Sequence, residues 1–313
     1  MDKNGISKRV WLAIGFVIVI LALLGVFADV KKVFELISDV DLVILGAAAA
    51  CFVVSVFLIT TRWRYILDFQ PEFLSTLHAD GISYAGKLFV PIPLAVLRVV
   101  TLSMLTPMSI SGASPGAVID RLVGFIMRLI ALALTVLFIA NAPLSPGLVV
   151  GGILFILALF GLTVLLVRNA AKILPKLAGF ISRLPGITEG SLQGIMSNLQ
   201  HGLTTVGSTR KLIIALLISL VMWTFFLLFY ALSFSALGLR VDTHEMFAMA
   251  AAVLVILPPS NPAMIGVYQG IIVAVLLPFG YLDVTEATAF AILIFVVQLI
   301  IWLILAVWGL RRG

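Results

Sequence analysis

Arg98, Asp120, Arg121 and Arg128 stand inside stretches of otherwise apolar sequence. A charge in such a run is costly, and it marks a candidate site for an ion or a polar ligand. Arg121 and Arg128 are seven residues apart, so a helix places them on one face. Asp120 is the only acidic residue of its segment. It points about 100° away from Arg121 on a helix and is expected to pair across to a neighbouring element. With a helix starting near residue 117, Arg121 lies about 6 Å into the membrane and Arg128 about 16 Å, close to the midplane. Arg98 is expected at the same level. Two arginines meeting there need a counter-charge or a negatively charged ligand. Arg121 has a second reading, a side chain that reaches back to the cytoplasmic surface.

Two proline-broken stretches could bring the rest of such a site together: Phe89-Val-Pro-Ile-Pro93 and Leu257-Pro-Pro-Ser-Asn-Pro-Ala-Met-Ile-Gly266. Proline removes a backbone donor and breaks a helix. Hydrocarbon cannot satisfy the freed groups, so such breaks survive only within protein or beside a polar cavity. Pro93 and Pro262 suit the first position of a returning helix, and Ser260-Asn261 before Pro262 offers N-cap chemistry. Helix N-termini carry free N–H donors and bind anions. Arg98 and Arg128 between two such termini describe an anion site, with Gly266 allowing close packing and Tyr268 and Gln269 either offering polar contacts or simply lining the bundle.

The chain has no glycine-rich phosphate loop, no paired carboxylates on one face and no serine or cysteine beside a histidine. No catalytic residues, metal ligands or cofactor are therefore expected. The single cysteine, Cys51, rules out an internal disulfide, and His78, His201 and His244 are scattered. No nucleotide-binding domain is present to drive transport with ATP.

The elements that must position these residues are membrane helices. Of 313 residues, 62% are hydrophobic and 11% charged, far below the roughly 25% charged of a soluble domain. The net charge of +6 belongs to cytoplasmic loops and does not indicate nucleic acid. The expected segments are 10–28, 41–61, a broken one at 74–107, 117–141, 147–167, 211–237, a second broken one at 246–280, and 285–309. The run at 10–28 is read as an uncleaved helix rather than a signal peptide.

Basic loops set the orientation. The N-terminus, Arg62 with Arg64, the 168–210 connection and the Arg311-Arg312 end all fall on the cytoplasmic side only if each broken segment enters and returns on one side. The expected fold is therefore an all-α polytopic membrane protein with an inverted-topology repeat. Each half has three spanning helices and one re-entrant helical hairpin. The first repeat is 1–141 with its hairpin at 74–107, and the second is 142–313 with its hairpin at 246–280. Leu192, Ile195, Met196, Leu199 and Leu203 mark one helical face over 189–205. That stretch reads as a helix on the cytoplasmic surface or one packed on the bundle. Arg62, Trp63 and Arg64 read as an interfacial anchor that contacts lipid at the end of the second helix.

Several of these pieces carry a family resemblance. The 257–267 break resembles the Pro-Gly-Gly-x-Gly signature of the lysylphosphatidylglycerol synthase transmembrane region, the flippase-like domain family. Arg62-Trp63-Arg64 also matches, and Val118-Ile119-Asp120-Arg121-Leu122 resembles the family's Val-Val-Glu-Arg-Leu. Arg98 matches the arginine after a Pro-x-x-x-Gly-Glu stretch. Ala263 and Met264 replace the double glycine, Leu94 and Ala95 replace Gly-Glu, Gln269 stands where glutamate is usual, and Asp120 replaces glutamate. The soluble aminoacyltransferase domain of the full synthases is not in this sequence.

The resemblance implies movement of an anionic phospholipid between leaflets, with a polyprenyl-phosphate lipid as the second option and no enzymatic activity. A non-transporting lipid-binding partner of a glycosyltransferase or other lipid-modifying enzyme, and a secondary transporter for a small anion, are the alternatives. The expected setting is the cytoplasmic membrane with both termini inside. Membrane lipids are the expected partners, and self-association into a homo-oligomer is compatible with the sequence.

Overall fold

The computed structural model describes residues 28–89, 92–139, 209–257 and 266–310, and among them every regular element is a helix. Short acidic residues start several of these helices by taking free backbone donors. The Asp29 carboxylate accepts from the backbone N–H of Lys31 and Lys32 at the head of α1 (Val30–Ser38). Asp41 does the same for Val43 and Ile44 at the head of α2 (Leu42–Ile66). The chain continues through α3 (Phe73–Phe89), α4 (Leu94–Leu105), α5 (Ile110–Ile139), α6 (Thr209–Ala236), α7 (Thr243–Ile256) and α8 (Val267–Leu276). A short 3-10 turn (Leu277–Phe279) leads to α9 (Val284–Leu310). Asp283 and Glu286 cap α9 reciprocally: each side chain accepts the other's backbone N–H, at 2.7 and 3.0 Å.

Leu42–Ile66, Arg210–Ala236 and Val284–Leu310 are each long and apolar enough to cross a membrane. Their apolar surface meets in an aromatic core. Phe52 of α2 lies against Phe229 of α6 at 5.1 Å and edge-on to Trp302 of α9 at 5.8 Å. Tyr84 of α3 stacks on Trp302 at 4.1 Å. Between α3 and α9 the backbones approach closely. A Cβ on Gly81 would sit 2.7 Å from the Leu305 Cβ and 2.9 Å from the Ala306 nitrogen, and one on Gly309 would sit 2.7 Å from the His78 Cβ.

Packing is reciprocal between the halves. α2 lies along α6. α3 packs on α9 while α7 packs on α5, and α4 packs on α5 while α8 packs on α9. α3 and α4 also pack on each other, and Gln70, Pro71, Glu72 and Ser75 at the start of α3 meet the residues at the end of α4 (Leu105–Met108) around one cavity.

Three boundaries differ from expectation. α2 runs to Ile66, so Arg62, Trp63 and Arg64 lie within it rather than at its end. α5 begins at Ile110 rather than near 117, which moves the reference point for the depths of Arg121 and Arg128. Pro93 is the N-cap of α4 rather than its first residue, and makes no side-chain cap bond. The expected helix at 10–28 lies outside the described residues except for Ala28, and the 168–210 connection except for its last two residues; the expected helices at 147–167 and 189–205 lie wholly outside them, as do Ser260, Asn261 and Pro262.

Candidate anion-binding site

Asp80, Arg98, Asp120 and Arg62 come from α3, α4, α5 and α2 and form one continuous ion-pair network. Arg98 donates from Nε to Asp80 Oδ1 at 2.7 Å and from Nη1 to Asp120 Oδ2 at 2.9 Å. Arg62 donates from Nε to Asp120 Oδ1 at 2.9 Å, and its Nη2 lies 2.7 Å from the same oxygen. Thr60 donates to Asp80 Oδ2 at 2.8 Å. Ser219 of α6 accepts from Arg62 Nη1 at 3.0 Å and donates to the Ala215 carbonyl at 2.7 Å. The Asp80 side chain is fully buried, and those of Arg98 and Arg62 are 5% and 3% exposed. Such charges survive burial only when paired and hydrogen-bonded, and here every carboxylate oxygen is used.

The Arg98 guanidinium also lies over the Trp63 ring at 4.0 Å. Among the described residues, Arg98 Nη2 and Trp63 Nε1 are buried without a hydrogen-bond partner. A buried donor left unmade costs about 1–3 kcal/mol.

On the other side of Arg98 a cavity of about 230 Å³ opens. It is lined by Arg62, Trp63 and Arg98, by Asp120, Arg121 and Arg128 from α5, and by Leu94, Ala95 and Phe125 among apolar neighbours. The structure thus brings together Arg98, Arg121, Arg128 and Asp120, and Asp120 pairs across helices as its direction on α5 requires. Among the described residues no carboxylate lies within ion-pair distance of Arg121 or Arg128, whereas Arg62 and Arg98 are both paired.

The remaining expected site residues take other roles. Arg62 and Trp63 line the cavity but are buried beside the network, which corrects their reading as an interfacial anchor; Asp120 and Ser219 make the buried guanidinium tolerable. Arg64 is only half-buried. It donates from Nε to the Pro71 carbonyl at 2.8 Å and faces the rings of Phe69 and Phe73.

Gly266, Tyr268 and Gln269 do not line the cavity. Gly266 takes φ +82° as the N-cap of α8, and its N–H donates to the Gln269 side chain at 2.7 Å. Tyr268 is buried and accepts from Gln298 Nε2 of α9 at 2.7 Å. Tyr230 of α6 donates to the Leu257 carbonyl at 3.1 Å beside them. These groups satisfy one another as a neutral cluster, which removes them as free contacts for a ligand. Pro93 precedes α4 and is not among the cavity-lining residues. Asp80, Thr60 and Ser219 carry the network and were not anticipated. A carboxylate in an apolar segment eighteen residues before Arg98, across a proline break, is the signal for Asp80.

Among the described residues no group of three His, Cys, Asp or Glu side chains is placed to hold a metal.

Apolar helices around a buried charge network, with an arginine-lined cavity beside it, define an α-helical integral membrane protein. The chain belongs to the family described as the lysylphosphatidylglycerol synthase TM region, whose match spans residues 10–306. No curated protein and no solved structure matches it.

Proposed function

We propose that this protein is a lipid translocase, a carrier rather than an enzyme, that moves an anionic lipid headgroup between leaflets through the Arg98–Arg128 cavity. One observation carries the reading. The ionisable lining of the cavity is four arginines and one aspartate, and both oxygens of that aspartate are already taken by Arg62 and Arg98. A cavity with donors and no free acceptor suits an anion, and a charged lining within a bundle of apolar helices suits an amphipathic one.

The reciprocal packing supports an inverted repeat in which α2–α5 correspond to α6–α9. In that reading Arg62, Arg98 and Asp120 have neutral counterparts at Tyr230, Tyr268 and Gln298, drawn from the corresponding three helices. The meeting of the segments that flank α3 and α4 supports a hairpin that enters and leaves on one side. Rocking of one repeat against the other would then expose the cavity to each leaflet in turn. Arg121, the more exposed arginine, recruits the headgroup.

Reconstitution tests this reading. Purified protein in liposomes should accelerate the loss of leaflet protection of a fluorescent anionic phospholipid over protein-free liposomes, and accelerate a zwitterionic one less. No acceleration of either lipid refutes translocation. A sealed response to small anions alone would instead favour the solute carrier.

A further inference from the structure

The charge count and volume of the cavity narrow its ligand. Four guanidinium groups line it, and among the described residues the only carboxylates facing them are Asp120 in the wall and Asp80 behind Arg98. This leaves an excess of two positive charges, placed at Arg121 and Arg128. Outside the described residues the sequence holds only two further acidic residues, Asp2 and Glu189. Both stand in polar stretches rather than apolar runs. Lys87, close enough to Arg121 to feel its charge, adds a cation rather than a counter-charge. Two guanidinium groups on a cavity wall with no carboxylate beside them among the described residues suit a ligand that brings negative charge of its own.

The space is small. At about 30 Å³ per water in the liquid, a cavity of about 230 Å³ holds about eight waters. That suits a phosphate group and the few atoms joining it to a chain.

We propose that the cavity selects a phosphomonoester dianion, a terminal phosphate on a lipid, over a phosphodiester headgroup. The proposal deepens the translocase reading and rests on it for the lipid. A terminal phosphate carries about −1.5 to −2 at pH 7 and three acceptor oxygens, which matches Arg121 and Arg128. A diester carries one negative charge and leaves one arginine unbalanced. Free phosphate shares the monoester's charge but has no chain to hold it in the bundle.

The test is binding to the purified full-length protein in detergent, read as ligand-induced thermal stabilisation. The probes are phosphatidic acid, a polyprenyl monophosphate, phosphatidylglycerol and inorganic phosphate. Both monoester lipids should bind about tenfold or more tightly than phosphatidylglycerol, given the cost of one unpaired charge in an apolar setting. Arg128→Gln removes one charge and should abolish that preference, while Arg128→Lys should keep it. Phosphatidylglycerol binding as tightly as phosphatidic acid to the wild type overturns the proposal and leaves the lipid reading standing. Stabilisation by inorganic phosphate with no response to any lipid would support the monoester preference and overturn the lipid reading. The wild-type comparison decides even if Arg128→Gln does not fold, and no binding by any probe overturns both.

Discussion

Arg98 Nε and Asp80 Oδ1 meet at 2.7 Å, joining the two helices on either side of the 90–93 break. The pair fixes α3 to α4, and through Asp120 and Arg62 it fixes both to α5 and α2. Breaking such a pair by removing one partner leaves a buried charge uncompensated, at a cost of about 3–5 kcal/mol. Asp80→Asn and Arg98→Gln should each destabilise the protein on that scale in detergent thermal or denaturant unfolding. The double variant should be more stable than the sum of the two losses implies. Additive losses would contradict the pairing.

The α3–α9 contact gives a sharper steric contrast. Gly81→Ala drives a Cβ to 2.9 Å from the backbone of α9 and 2.7 Å from the Leu305 Cβ, which should cost about 1–3 kcal/mol as overpacking. Gly86, on the same helix, has open space where a Cβ would go. Gly86→Ala should therefore be neutral or stabilising by up to about 1 kcal/mol, because alanine loses less backbone entropy in a helix. Unfolding midpoints of the two variants, measured side by side, check the register of this packing.

Arg62 and Arg64 are two residues apart but do different work. Arg62→Gln leaves Asp120 with one cation in place of two and should cost about 3 kcal/mol or more. Arg64→Gln loses a half-exposed bond to the Pro71 carbonyl and two aromatic contacts, and should cost about 1 kcal/mol. Equal small losses at both positions would restore the surface-anchor reading for Arg62.

Acid sensitivity should localise to the head of α9, outside the spanning part of that helix. Burial pushes the Asp283 carboxyl up, but the Glu286 backbone N–H and then the Lys32 ammonium together hold it below its ordinary value. A carboxyl held low in the folded state adds stability above its unfolded pKa of about 3.9. That stability is lost as pH falls from there through the lower folded value. The stability difference between wild type and Asp283→Asn should therefore be constant from pH 7 to about 5 and shrink below about pH 4. A difference that holds steady to pH 3 would contradict this assignment.

The site was legible where a charge interrupts an apolar run. Arg98, Asp120, Arg121 and Arg128 announce themselves, and the direction of Asp120 on its helix pointed to a partner on another element. The breaks at 90–93 and after Leu257 were equally plain, because proline removes a donor that hydrocarbon cannot replace.

Partnerships between distant elements were not legible. Arg62 and Arg64 around Trp63 read as a membrane boundary and so place the end of the second helix at 61 rather than Ile66. Only the approach of Asp120 and Ser219 from α5 and α6 makes Arg62 an interior residue. Nothing local to Asp80, beside His78 and Gly81, shows that Arg98 folds back onto it. Tyr268 and Gln269 looked free because Gln298 and the Gly266 N–H, which use them, enter through tertiary packing and backbone conformation.

The central claim is that Arg128, unpaired in the cavity wall, meets the headgroup during translocation. The most direct test measures anionic-lipid translocation in liposomes by wild type, Arg128→Ala and Arg128→Lys at matched, monodisperse protein loading. Loss of one charge contact in an apolar site should slow Arg128→Ala about tenfold or more, with Arg128→Lys retaining much of the wild-type rate. Equal rates for wild type and Arg128→Ala would contradict the account.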